Sequence, residues 1–243
     1  MLHRRTLPRF PLIAVAVAAA ALLTSTAWTA ERLVQDRRVA EEVVAEAAGR
    51  AATEVFPIPA NDVVLECVER YAGTAWGRAF LADGLARMAD HEPLVLGALD
   101  RYGLPHELAA VPLVESGYRN LGEVGGESDA PGMMGAGIWM FIPTTARRYG
   151  LRVSPRQDDR LDEVLETDAA MRLLSDLYDE FGDWHLALAG YNQGARHVRE
   201  AIEAEGTDDV WALIERGALN RYAGYVTAAV IVMEDPSLAD AER

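Results

Sequence analysis

A glutamate that closes an apolar helical stripe is the first feature of this chain that could do chemistry. In the run His106-Glu107-Leu108-Ala109-Ala110-Val111-Pro112-Leu113-Val114-Glu115, a 3.6-residue period places Leu104, Leu108, Val111 and Glu115 on one face, while His106 and Glu107 fall off it. A carboxyl group held among apolar atoms is penalised when it ionises. Its pKa rises and it keeps a proton near neutrality, as a general acid must. Taken as structure alone, the same glutamate would cap a turn or pair with Arg119.

Three further places carry chemically suggestive residues. The stretch from Gly122 to Phe141 is rich in glycine, which suits backbone passing close to another group or a mobile rim; it lacks the G-x-x-x-x-G-K-[ST] pattern and a preceding parallel strand, so phosphate cradling is disfavoured. From Trp184 to Gly190 the chain is apolar on all sides, the mark of a central buried helix, and it ends in Tyr191-Asn192-Gln193 stopped by Gly194. Polar groups at the end of a buried helix need partners, either from the protein or from the amide and hydroxyl groups of a bound sugar. Within that run His185 reads as a core or surface histidine, since no second histidine stands at metal-ligand spacing. Finally, Tyr222, Tyr225, Val226, Ala229, Val230 and Met233 share one face of a terminal helix from Asn220 to Met233, a pattern that core packing alone would explain.

The elements that must position these residues are helices. No stretch beyond residue 30 sustains period-two alternation of β-branched residues, and several repeat apolar positions at three and four. Residues 31–52 read as a charged helical stalk broken by Phe56-Pro57-Ile58-Pro59; Asn61-Asp62 caps a helix to Tyr71; helices follow over 75–91 and 92–101, and Gly103 and Pro105 separate the second from a helix over 105–115. Half of the 243 residues are hydrophobic and a quarter charged, which excludes a disordered chain and allows one sizeable core. Every one of the 23 basic side chains is Arg; with 38 acidic residues the net charge is −15, and no downstream arginine stripe exists for a nucleic-acid backbone. Cys67, the only cysteine, excludes an intrachain disulfide and a multi-cysteine zinc site and fits a small core residue.

At the N-terminus, Arg4, Arg5 and Arg9 precede the apolar run Phe10 to Leu23 and then Thr24-Ser25-Thr26-Ala27. This is the order of a secretory signal with cleavage after Ala27; uncleaved, the run would be a short anchor. The expected organisation is residues 1–27 as signal or anchor, 28–60 as stalk, and 61–243 as the functional domain of an exported, envelope-associated protein.

The ordered set LPHELAAVPLVESGY, GAGIWMFIPTTARRYGL, DDRLDEVLETDAAMRLL, FGDWHLALAGYNQG and RYAGYV, from about Trp76 to Glu234, resembles the soluble lytic transglycosylase domain, in particular the membrane-bound murein transglycosylase D type. The resemblance implies an all-α, lysozyme-like multi-helix domain with an N-terminal helical extension. It implies cleavage of the β-1,4 bond between N-acetylmuramic acid and N-acetylglucosamine without water, leaving a 1,6-anhydromuramoyl end, with neither cofactor nor metal. The implied partners are peptidoglycan strands and, beyond them, envelope proteins. Carried over, Glu115 falls on the family's single acid/base, and Ser116 and Gly117 complete that motif. Tyr191 and Asn192 fall on its Tyr-Asn cluster, Tyr225 on a tyrosine near the carboxylate, and Gly137-Ile138-Trp139-Met140 on a segment whose third residue lies along the glycan groove. Asp159-Arg160-Leu161-Asp162 matches a stretch expected to be scaffold. Two departures stand out: Met140 replaces the family's Gln, and the loop before Gly137 is lengthened, leaving Ser128 as the candidate for the serine beside the carboxylate. Ser116, Gly137, Trp139, Met140, Tyr191, Asn192 and Tyr225 are therefore the expected substrate-binding set around Glu115. The competing expectations are a water-using muramidase of the same fold, with Asp158, Asp159 or Asp162 as second carboxylate, and a non-catalytic glycan-binding scaffold.

Overall fold

The computed structural model describes residues 37–49, 55–124 and 134–240. The expected secretory leader, the first part of the expected stalk and the centre of the glycine-rich stretch with Ser128 lie outside the described residues.

Helices dominate, as the apolar spacing requires. Helix α1 (residues 37–49) buries Ala40, Val44 and Ala47 at spacings of four and three, in the same core as the rest of the domain; its apolar stripe is packed, not free as in a solvated stalk. Extended residues follow, with Phe56 and Ile58 buried. Helix α2 (Asp62–Ala72) starts where the Asn61 side chain accepts the Val64 N–H. Cys67 is buried in it, and burial pushes its thiol up to about 12, so it is an inert core residue.

Helix α3 (Ala75–Tyr102) runs unbroken where two helices were expected. Pro93 costs it one backbone hydrogen bond, but burial of Leu81 on one side and of Val95, Ala98 and Leu99 on the other holds both halves to one core. The expected helix over 105–115 is divided: His106–Ala109 forms a 3-10 turn and α4 (Ala110–Ser116) follows. Pro112 explains the division, because a continuous α-helix would need its missing N–H to bond the Leu108 carbonyl. Starting at Ala110 instead puts Pro112 in the first turn, where no such bond is made.

Two antiparallel ribbons were not foreseen, their strands being too short to show alternation. In one, β1 (Leu121–Val124) pairs with β2 (Gly135–Gly137), Leu121 opposite Gly137. After α5 (Pro143–Arg148), β3 (Val153–Ser154) pairs with β4 (Gln157–Asp158). Helix α6 (Glu163–Phe181) is capped by Asp162, and α7 (Trp184–Gln193) by Asp183. Then come α8 (Ala195–Glu205), α9 (Val210–Glu215) and α10 (Tyr222–Glu234). The central layer is α10, almost wholly buried, packed against α2, α4 and α7; α6 lies against α7 and α3. No described helix is long and apolar enough to cross a membrane.

Candidate active site

Glu115 is the next-to-last residue of α4, whose chain reverses at Gly117. Three bonds fix this corner. Arg87 of α3 donates from Nε to the Gly117 carbonyl at 2.7 Å, the Tyr118 hydroxyl donates to the Ala109 carbonyl at 2.7 Å, and the buried Ser116 hydroxyl donates to the Ile138 carbonyl at 2.8 Å. Glu115 itself lines a groove of about 670 Å³. Its carboxyl accepts the Tyr222 hydroxyl at 2.6 Å on Oε1, and it does not pair with Arg119. Burial pushes its pKa up to about 7, against the opposite, smaller pull of the Tyr222 hydrogen bond, which favours the charged form. The stripe-closing position of Glu115 thus becomes a carboxyl group that carries a proton near neutral pH at the wall of a groove.

Tyr222 is the residue the sequence undervalued. It was grouped with core residues on periodicity, and Tyr225 was expected beside the carboxylate. The structure instead puts Tyr222 on Glu115, while Tyr225, three residues on, packs its ring 5.7 Å from that of Tyr71. The two tyrosines share a helix face, and only the way α10 crosses α4 selects between them. Tyr222 is aimed by the polar cluster that ends α7. The Asn192 amide oxygen accepts from Asn220 Nδ2 at 2.8 Å and the Gln193 amide oxygen accepts the Asn220 N–H at 2.9 Å. Asn220 Oδ1 in turn accepts the Tyr222 N–H at 3.0 Å at the start of α10. The amide oxygens of Asn192 and Gln193 therefore have protein partners, whereas their amide nitrogens hold no protein acceptor among the described residues. Tyr191 lies 6.4 Å from Tyr222, ring over ring, and donates its hydroxyl to the Trp139 carbonyl at 2.6 Å.

The segment Gly137 to Met140 departs from expectation at Trp139. Expected along the groove, Trp139 is fully buried: its indole N–H donates to Thr167 Oγ1 at 3.0 Å and its backbone N–H to Glu166 Oε1 at 2.9 Å. Glu166, itself fully buried and missed by sequence reasoning, also accepts the Ile138 N–H at 2.9 Å; burial raises its carboxyl well above the usual range. Gly137 is likewise enclosed. Its φ is +85°, and a Cβ there would stand 2.1 Å from Glu166 Oε1 and 2.2 Å from the Arg160 carbonyl, so only glycine fits. Ser116, Gly137 and Trp139 thus belong to the frame behind the groove. Met140, with φ of 53°, reaches the groove together with Tyr191 and Asn192.

Arg160 ties this frame to the loop before it. Fully buried, it donates to Asp158, to Glu123 Oε1 near the start of the glycine-rich stretch, and to the backbone carbonyls of Met134 and Phe141. Asp158 is held below the usual carboxylate range by that guanidinium, Asp159 by Arg152, and Asp162 caps α6. None of the three lines the groove. The other carboxylates that do are engaged: Asp176 accepts from the Tyr149 hydroxyl at 2.8 Å and Glu180 pairs with Arg199. His185 is buried between the rings of Phe56 and Trp211, each 4.8 Å away, which pushes its pKa down to about 4.

Comparison with known proteins agrees with this geometry. Residues 94–214 match the model of the transglycosylase SLT domain. The chain is 34% identical over 161 residues to membrane-bound lytic murein transglycosylase D of Escherichia coli K12, a match that covers 64% of this chain and 33% of that protein, with the same figures for the protein of E. coli O6:H1. It is 30% identical over 118 residues to a putative tributyltin chloride resistance protein of Alteromonas sp. strain M-1, covering 48% of this chain and 54% of that one. The chain spans about a third of the length of the transglycosylases it matches. A carboxyl group poised at a groove, an all-helical frame and a family match over the residues that line the groove converge: residues 94–214 match the transglycosylase SLT domain family and support an SLT-like assignment for this chain.

Proposed function

We propose that this protein is a peptidoglycan lytic transglycosylase with Glu115 as its single acid and base. The observation that carries the reading is the Glu115 carboxyl: placed at the groove, bonded by Tyr222 and protonated up to about pH 7. As an acid it gives its proton to the departing glycosidic oxygen while the carbonyl oxygen of the substrate's 2-acetamido group closes onto the anomeric carbon, the substrate-assisted exception to the two-carboxylate rule. Now a carboxylate, it takes the proton of the C6 hydroxyl as that oxygen displaces the acetamido oxygen, giving the 1,6-anhydro ring and restoring the acid. Tyr222 stabilises the carboxylate between the two steps. Met140, Tyr191 and Asn192 form the groove wall, and the Asn192 amide nitrogen is a donor suited to an acetamido carbonyl.

One carboxylate suffices for this chemistry, and the engagement of Asp158, Asp159 and Asp162 with scaffold partners supports it over hydrolysis. The envelope is the setting this substrate requires. Mass analysis of sacculus digests tests the reading: muropeptides lacking a water at the reducing end are expected from the wild type and none from Glu115→Gln. Products carrying the full water would make the protein a muramidase, and equal release by both proteins would make it a glycan-binding scaffold.

A further inference from the structure

Trp76 is 61% exposed, unusual for the largest side chain in a domain whose other described tryptophans are buried or half-buried. It lies outside residues 94–214, at the corner between α2 and α3, and that corner is rigid. Thr74 Oγ1 accepts the Gly77 N–H at 2.9 Å and donates to the Arg70 carbonyl at 2.6 Å, and Arg78 donates to the Ala72 carbonyl at 2.7 Å. At Gly77 a Cβ would stand 2.4 Å from the carbonyls of both Arg70 and Tyr71, so the two helices meet backbone to backbone. A tryptophan held in the open on such a corner has already lost much of the freedom that binding would otherwise cost it.

From Trp76 a line of rings leads inward to the acid. The Trp76 and Phe80 rings stack at 5.6 Å and 11°, Phe80 and Tyr71 at 6.3 Å and 15°, and Tyr71 meets Tyr225 at 5.7 Å. The Arg70 guanidinium bridges the outer part, 5.8 Å from the Trp76 ring centre and 5.9 Å from that of Tyr225. The inner end reaches the catalytic corner: Phe80 lies 3.5 Å from where a Gly117 Cβ would be, and the Glu115 charge is close enough to bear on the Tyr71 hydroxyl. None of these residues lines the groove of Met140, Tyr191 and Asn192.

We infer that Trp76, Arg70 and Tyr225 form a second saccharide-binding surface, which continues the glycan path past Glu115 and takes a pyranose ring of the strand at a distance from the scissile bond. This rests on the proposed reading of the groove as a glycan site. The chemistry fits: in a β-1,4-linked strand the substituents are equatorial, so each sugar offers axial C–H bonds to the negative face of an aromatic ring. The adjacent guanidinium supplies N–H donors to the hydroxyl and acetamido oxygens at the sugar's edge.

The test is calorimetric titration of the full-length Glu115→Gln protein, which binds without cutting, with β-1,4-linked N-acetylglucosamine oligomers of two, four and six sugars. Affinity is expected to rise with length, and Trp76→Ala is expected to remove that increment, weakening hexamer binding about tenfold; Trp76→Phe should restore most of it. Arg70→Ala should act in the same length-dependent way. Thermal melts of each variant confirm folding, which the exposure of Trp76 favours. Equal loss at every length, no loss at all, or no binding of any oligomer overturns the inference, as does Trp76 acting only on adhesion to lipid vesicles. The proposed function fails separately: if the hexamer increment depends on Trp76 but wild-type protein releases nothing from sacculi, the surface stands and the transglycosylase assignment falls.

Discussion

Tyr222 and Glu115, 107 residues apart in the chain, are joined by a hydrogen bond of 2.6 Å from the tyrosine hydroxyl to Oε1. The bond opposes the desolvation of the carboxyl without cancelling it. Glu115 therefore remains an acid near neutrality, while the carboxylate it becomes after proton transfer has a donor already in place.

Activity on sacculi should hold at acidic pH and decline as pH climbs through about 7, where the Glu115 proton is lost. The same group shapes stability. Below 4.5 the carboxyl is neutral folded or unfolded. Between 4.5 and about 7 the unfolded chain ionises first, so the native state loses up to roughly 3 kcal/mol, and above 7 the penalty is constant. Glu115→Gln is expected to be inactive yet more stable than wild type, with a gap in denaturation midpoint that opens over that interval. Parallel stability curves for the two proteins would contradict a buried, raised carboxyl.

Tyr222→Phe removes the donor that favours the charged carboxyl. The alkaline limb of the rate profile should therefore move to higher pH, and turnover should drop by roughly 10- to 100-fold as the carboxylate loses its stabilising partner. A pH titration of the rate reads both effects. The phenylalanine keeps the ring against Tyr191, so the melting temperature should change little.

Gly137→Ala forces a side chain into a space taken by the Glu166 carboxyl and the Arg160 carbonyl at a backbone angle that favours glycine. A loss of roughly 3 kcal/mol is expected, together with disturbance of the Ile138 and Trp139 backbone that carries one groove wall. Chemical denaturation gives the first, and oligosaccharide affinity of the folded fraction gives the second.

His185 is neutral in its aromatic cage, with its pKa pushed from 6.5 to about 4 by burial. Stability tied to it is complete above pH 6.5 and is lost as pH falls toward 4, because the unfolded chain takes up the proton first. Over that interval the His185 contribution should fall by roughly 2 to 3 kcal/mol, against the gain from Glu115 protonation, and His185→Leu should gain stability relative to wild type as pH falls. An unchanged slope in the variant would place the acid sensitivity elsewhere.

Much of this site is local in origin and could be read from residue spacing. Glu115 stands out because it completes a 3.6-residue apolar stripe, and Tyr191-Asn192-Gln193 because polar residues end a wholly apolar helix at a glycine. Those signals depend on neighbours within a turn or two, which any helix would bring together. Tyr222 against Tyr225, and Trp139 inside against outside, were not decided within that range. Both tyrosines lie on one face a single turn apart, and the crossing of α10 over α4, set by side chains from both helices, hands the hydrogen bond to Tyr222. Trp139 turns inward because Glu166 and Thr167, in a helix 27 and 28 residues further on, satisfy its backbone and indole N–H groups in the core. Hydrophobic periodicity determined that there would be a buried acid and a polar helix end; only long-range packing, which must satisfy every buried donor at once, chose the residues that surround them.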